Sequence, residues 1–455
     1  MENQISNPPP PLHAGFGSAD ITPTAPCFLV GYPHAERTST GTHDPLLASA
    51  LCLESGDHSL AFVSVDLLVV SSEWTRDCRR RIFDATGIPP ENIQIVATHT
   101  HSGPVTVDFL AFQGDPTVPP CDLQYLEFSC QETASAVITA WQKREPAEIA
   151  ITTANVAGLA GGNRIDPNGV EDPEAGLMLV RRTAGHDPMA ILAVYGMHPT
   201  VLHEDSTLFS GDFIALTREH LEKAFPGVGV VYLNGVCGNQ SPRRCVRAQT
   251  FAEARRLGEA LGARMEESLR GLTEFQSRVP LEGAAIQIPM TGKKFPSVSE
   301  ASSALDAAQK NYEFLRQSNA GHVEVRTAEC TVFGAEEVVT LAKAEESGQA
   351  EAVRKKYCEA EIQVLHVGDT AFVGWPGEFF VEFGLTVKAQ APGRTFISTN
   401  ANGELHGYIV TPEAEQANGY EAQNSLFPAA AGKDFVEKTL ALLGRMPSVR
   451  SGNSQ

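Results

Sequence analysis

Apolar residues recur along most of the chain in short runs of strand length. Ala48–Leu53, Leu60–Val65, Ile93–Ala97, Glu148–Thr152, Leu177–Arg181, Ile191–Tyr195 and Val228–Leu233 are rich in Val, Ile and Leu and predict strands. Between them the spacing of apolar positions changes to the helical period and predicts helices over Ser72–Thr86, Asp122–Lys143, Asp212–Ala224 and Phe251–Leu272. Further on, Ile362–Val367, the turn dipeptide Gly368-Asp369 and Thr370–Gly374 predict a hairpin. A helix is then expected from Glu378 to about Gln390, and another over Phe435–Leu443. Strands mixed with helices imply an α/β protein, with layered mixed β-sheets flanked by helices.

The stretch from Gly292 to Lys356 breaks this pattern. It is polar, charged and rich in Ala, Glu and Lys, with helical spacing over Glu300–Arg316 and Glu336–Lys355. It is expected to be a helical insertion (292–356) on the surface of a single large domain, residues 13–446. The Pro-rich residues 1–12 and the polar residues 447–455 are expected to be loose.

Composition narrows the functional classes. Lys and Arg number 35 against 55 Asp and Glu, a formal charge of −20. Such a surface repels phosphates, so nucleic acid is a poor partner. The longest apolar stretch, Ser59–Val70, contains Asp66 and is shorter than the ~20 residues that span a bilayer. No signal peptide is visible at the start, and the nine Cys are odd in number and lack a CxxC. A cytoplasmic protein with reduced thiols is the expectation. Oligomeric state stays open.

Several strand ends carry candidate chemistry. An apolar strand runs into Thr98-His99-Thr100-His101 and breaks at Ser102-Gly103-Pro104. In extended backbone, residues i and i+2 point the same way, so His99 and His101 are expected to face one point. A pair of hydrogen-bonded residues capping a sheet would look the same. His198 ends Ile191–Thr200 in the same manner. Glu378 follows Pro376-Gly377 as the expected first residue of a helix, where a carboxylate suits the dipole or could bind a metal. Gly229–Arg244 contains Asn234 and Ser241 in a Gly-rich turn without the G-x-S-x-G elbow of a serine hydrolase. Asn402–Ser425 is a Gly-rich stretch, expected as a loop, with Tyr408, Tyr420 and several carboxylates. Two His and a Glu from separate segments make a workable zinc set.

Taken in order, these motifs resemble the neutral/alkaline, non-lysosomal ceramidase family. The resemblance lies in ADITP near the start, ATHTHSGP at 97–104, HPT at 198–200, NG at 234–235, SP at 241–242, PGEF at 376–379 and GYIVTPE at 407–413. It implies a zinc-dependent hydrolase that cleaves the amide of an N-acyl substrate, ceramide-like or smaller, by metal-activated water. His99, His198, Glu378 and Tyr408 match the family's zinc ligands. His101 matches a His close to the metal and the substrate carbonyl, Arg164 a substrate-contacting Arg, and Tyr420 a donor to the developing oxyanion. Asn234 and Ser241 fall in substrate-binding segments, and Asn239 stands where the family often has Asp. The same scaffold would also suit an ester, lactone or carbohydrate substrate, and a non-catalytic metal-binding protein is a further alternative. The expected partner is a small-molecule or lipid-amide substrate.

Overall fold

The computed structural model describes residues 9–446. The expectations for residues 1–8 and 447–455 therefore lie outside the described residues. The remainder of the expected loose segment, 9–12, ends in Leu12, which is buried and opens the first strand.

Twelve strands longer than two residues follow in order: β1 (Leu12–Asp20), β2 (Leu47–Ser55), β3 (His58–Val65), β4 (Ile93–Ala97), β5 (Glu145–Asn155), β6 (Glu174–Arg182), β7 (Pro188–Tyr195), β8 (Gly229–Asn234), β9 (Leu281–Pro289), β10 (Glu359–Val367), β11 (Thr370–Gly374) and β12 (Thr395–Ser398). The first eight form one sheet in the order β8-β7-β6-β5-β1-β2-β3-β4, and the last four form another in chain order. Both sheets are mixed: β3 and β4, β7 and β8, and β11 and β12 run parallel, while the other neighbours are antiparallel.

The two sheets face each other across a shared apolar layer. Phe62, Leu51, Leu60 and Val231 come from the large sheet, and Leu281, Leu365, Phe372 and Phe396 from the small one. Helices cover the outer faces. On the large sheet, α1 (Ser72–Thr86) and α2 (Leu123–Gln142) bury Trp74, Cys78, Ile82 and Val137 at one end. At the other end α3 (Asp212–Ala224) and α4 (Phe251–Arg270) bury Phe213, Leu257 and Leu261. The helices of the insertion are α5 (Val298–Gln317), α6 (His322–Ser347) and α7 (Gln349–Lys356). They join α8 (Val381–Gln390), the short α9 (Pro412–Ala417) and α10 (Tyr420–Gln423), and α11 (Ala430–Arg445) beyond the small sheet, around Trp375, Phe379 and Phe435.

Two expectations need correcting. Glu378 does not open a helix: Glu378–Phe379 is a two-residue strand paired in parallel with Tyr408–Ile409, and α8 begins at Val381. Gly377, at φ 79°, turns the chain so that this pairing can form. The insertion is not remote surface either, because α6 lines the cavity described below.

Candidate metal centre

His99, His101 and His198 converge. Each offers a ring nitrogen, and these atoms lie within 4.8 Å of one another. The pleat does not bring the first two together as expected. Strand β4 stops at Ala97, and His99 takes a left-handed backbone, φ 69°, which a non-glycine residue adopts at a cost. That strained residue turns its ring toward His198, with centroids 4.7 Å apart.

Each ring is fixed from behind. His99 Nδ1 donates to Leu68 O (2.7 Å), His101 Nδ1 to Gly31 O (3.0 Å), and His198 Nδ1 to Cys237 O (2.8 Å) and Gln240 O (3.0 Å). A carbonyl oxygen only accepts, so the proton sits on Nδ1 and each Nε2 presents a lone pair forward. Burial first, then the neighbouring charge of Arg164, lowers the His198 pKa to about 4. Burial and the other two imidazoles hold His101 well below its ordinary value.

The fourth component is Glu378. Its Oε2 lies 3.3 Å from His99 Nε2 and 3.0 Å from His198 Nε2. These are acceptor-to-acceptor approaches, and both Glu378 Oε2 and His99 Nε2 are buried without a hydrogen-bond partner, as is His101 Nε2. Lone pairs turned on one another are a charge arrangement that a bound cation would relieve.

Tyr408 sits directly opposite Glu378 in the parallel pairing. Burial and the Glu378 charge push its phenol pKa well up, so a neighbouring cation is what would let it ionise as a ligand. Tyr420 opens α10, its ring 6.0 Å from that of Tyr408. Burial, followed by Glu337 and Tyr408, keeps its phenol protonated and a hydrogen-bond donor. The expected loop over Asn402–Ser425 is thus partly regular, with a two-residue strand and two short helices.

Arg164 is buried beside this group. Its Nε donates to Glu421 Oε1 (2.8 Å), Nη1 is 3.3 Å from His198 Nε2, and Nη2 has no partner. Ser241 lines the same cavity, but its Oγ already accepts from Arg243 N and caps a short 3₁₀ turn. Asn234 is not brought to the cavity. It is fully buried and braces strand ends, donating to Thr98 O (3.1 Å) and accepting from Met197 N (3.3 Å). Asn239 binds Val381 N and Glu382, which secures the start of α8.

Sequence reasoning missed Glu421, the partner of Arg164, and the cavity-facing side of α6. It also missed the buried pair Asp66–Arg218, which holds Thr98 just before the first His. Asp66 inside an otherwise apolar strand-end run was the available signal.

Residues 12–235 match the family model described as neutral/alkaline non-lysosomal ceramidase, N-terminal. Over these residues the chain resembles the neutral/alkaline non-lysosomal ceramidase family. Among relatives, the neutral ceramidase of Pseudomonas aeruginosa is 23% identical over 96% of this chain and 73% of its own length. That of Mycobacterium tuberculosis is 32% identical over 20% of this chain and 16% of its own length. A crystal structure of the P. aeruginosa neutral ceramidase superposes with a TM-score of 0.74 at 21% identity, covering 96% of this chain and 75% of that one, so the ceramidase fold is shared. Among the described residues, no helix is long and apolar enough to cross a membrane.

Proposed function

We propose that this chain is a zinc-dependent hydrolase that cleaves the amide bond of an N-acyl substrate, ceramide-like or smaller. The supporting observation is the set of forward-facing, unpartnered acceptors on His99, His101 and Glu378, with His198 beside them. The match to the ceramidase family model and the names of the relatives agree with it. His99, His198 and Glu378 would hold the ion, with Tyr408 as a fourth ligand. A zinc ion there would acidify a water molecule and polarise the amide carbonyl.

The chain's own residues supply the rest. His101, anchored on Gly31 O with its Nε2 free, accepts a proton from the attacking water and passes it to the leaving amine nitrogen. The protonated Tyr420 hydroxyl donates to the carbonyl oxygen as that atom gains charge. Arg164 directs its unpartnered Nη2 at the substrate. Across the reaction the C–N bond breaks, a C–O bond forms, and the products are a carboxylate and an amine.

The test is elemental analysis of purified protein, with activity on N-acyl amides and p-nitrophenyl esters before and after chelation. About one zinc per chain and amide hydrolysis that chelation abolishes and zinc restores are expected. Full metal content in both His99→Ala and His198→Ala would overturn the ligand assignment. Hydrolysis of esters but no amide would move the reaction to an esterase.

A further inference from the structure

The three-histidine site adjoins two spaces. One is a slot with an apolar wall of Leu68, Val69, Phe109 and Phe112 and a polar wall that includes Glu337, Asn400, His406 and Asn424, reaching His99 and Glu378. The other is a wider, open cavity that reaches His101 and His198 and is lined by Arg164, Arg243 and Arg326 together with Glu204 and Glu329. An apolar acyl chain gains by lying against the Leu68, Val69, Phe109 and Phe112 wall of the slot, which leaves the amine half of the substrate in the cavity that holds the three arginines.

The three arginines are not equivalent. Arg326 is paired with Glu204 (2.8 Å) and Glu329 (2.7 Å), and Arg164 with Glu421 (2.8 Å). Arg243 is half-buried, and among the described residues no carboxylate lies within ion-pair distance of it. Its guanidinium reaches only the Cys330 sulfur, a weak acceptor, at 3.7 Å. Burial first, then the charges of Arg164 and Arg326, act against its positive charge, partly offset by the Cys330 sulfur and the more distant Glu421 carboxylate. In a chain with 55 acidic side chains, a partly desolvated cation left without a carboxylate costs stability that a bound anion would return. The planar guanidinium matches a carboxylate in two parallel hydrogen bonds.

We propose that Arg243 binds a carboxylate on the amine half of the substrate, making N-acyl amino acids preferred over neutral N-acyl amines. This rests on the amide-hydrolase reading above. Arg243 acts on specificity and takes no part in proton transfer.

Two substrates with one acyl chain test it on the zinc-loaded protein: N-lauroylglycine, and N-lauroylethanolamine, in which CH₂OH replaces the carboxylate. We expect kcat/KM to favour the glycine conjugate at least tenfold, and the ratio to fall toward one in Arg243→Gln, chiefly through KM, with partial recovery in Arg243→Lys. Equal or better hydrolysis of the neutral amide by wild-type protein overturns the proposal and leaves amide hydrolysis standing. An unchanged ratio in Arg243→Gln overturns the role of that residue. The wild-type ratio decides the substrate class even if the variants do not fold. Hydrolysis of neither compound, nor of any other amide, would instead remove the reading beneath.

Discussion

At the scale of single residues, the site depends on groups that cannot be exchanged for near neighbours. His101 is held by Gly31, which sits at φ 120°, and a Cβ on Gly31 would fall 2.4 Å from His101 Nδ1. Gly31→Ala should therefore displace the proposed proton carrier, lowering kcat roughly 10²–10³-fold while bound zinc stays near wild type. Steady-state kinetics beside metal analysis checks this, and equal loss of metal would place His101 among the ligands. Tyr420→Phe removes only a hydroxyl. Its kcat should fall roughly 10²-fold with metal content retained, because the lost hydrogen bond strengthens in the transition state. Glu337 is a third case. It is buried on α6, its Oε2 has no partner, and burial raises its pKa to about 8, with Glu336 and Asp115 adding to the rise against an opposing hydrogen bond from Asn424. A carboxyl with a higher pKa folded than unfolded holds its proton more tightly when folded. Its contribution is full below about pH 4.5 and is lost as pH rises toward 8. Glu337→Gln should be more stable than wild type at pH 9, on the order of 2 kcal/mol, with the gap closing by pH 5 in thermal melts.

At the scale of elements, legibility followed local periodicity. Strand β4 and helices α1 and α3 have the boundaries their apolar spacing predicts, because each satisfies its own pattern against a large core. Strands β1 and β9 were missed: β1 is rich in Gly and Ala, and β9 buries little of its length. The first half of α6 was also missed, because Val323, Val325, Thr327 and Thr331 favour extended backbone and only packing makes them helical. That half carries Arg326, Cys330 and Phe333 on one face of the cavity. The metal-site residues were legible as motifs, yet their convergence came from a left-handed His99 and a two-residue parallel pairing, neither of which has a period to read. That pairing yields a prediction of its own. A Cβ on Gly377 would lie 2.7 Å from Leu405 Cβ, in a backbone conformation that already strains an L-residue. Gly377→Ala should cost about 1–3 kcal/mol and weaken zinc retention by moving Glu378, which denaturant unfolding and metal analysis will report.

At the scale of the whole molecule, the acidic surface and the arginine-lined cavity have opposite characters. A formal charge of −20 favours solubility, while beside the three histidines the Glu378 carboxylate and the Arg164 guanidinium both lie close, and the cavity adds Arg243 among ion-paired residues. The four layers bury their apolar faces without any cation, so chelation should leave far-UV circular dichroism largely intact. Because an ion that binds only the folded state stabilises it by mass action, the melting temperature should drop by several degrees on chelation and recover with zinc. All nine cysteines are free, so reductant should not change that temperature.

The direct opposition of Glu378 and Tyr408 also fixes an order of events during synthesis. A ribosome delivers residues 99 and 198 long before 378 and 408, and the latter two meet only after β11, β12 and the segment between them have emerged. A nascent chain thus holds imidazoles alone for much of its elongation, and the carboxylate that completes the pocket arrives with the closing layer. On the proposed ligand set, metal uptake would be a late event that seals a finished scaffold, unlike a zinc finger, where the ion is what organises the chain.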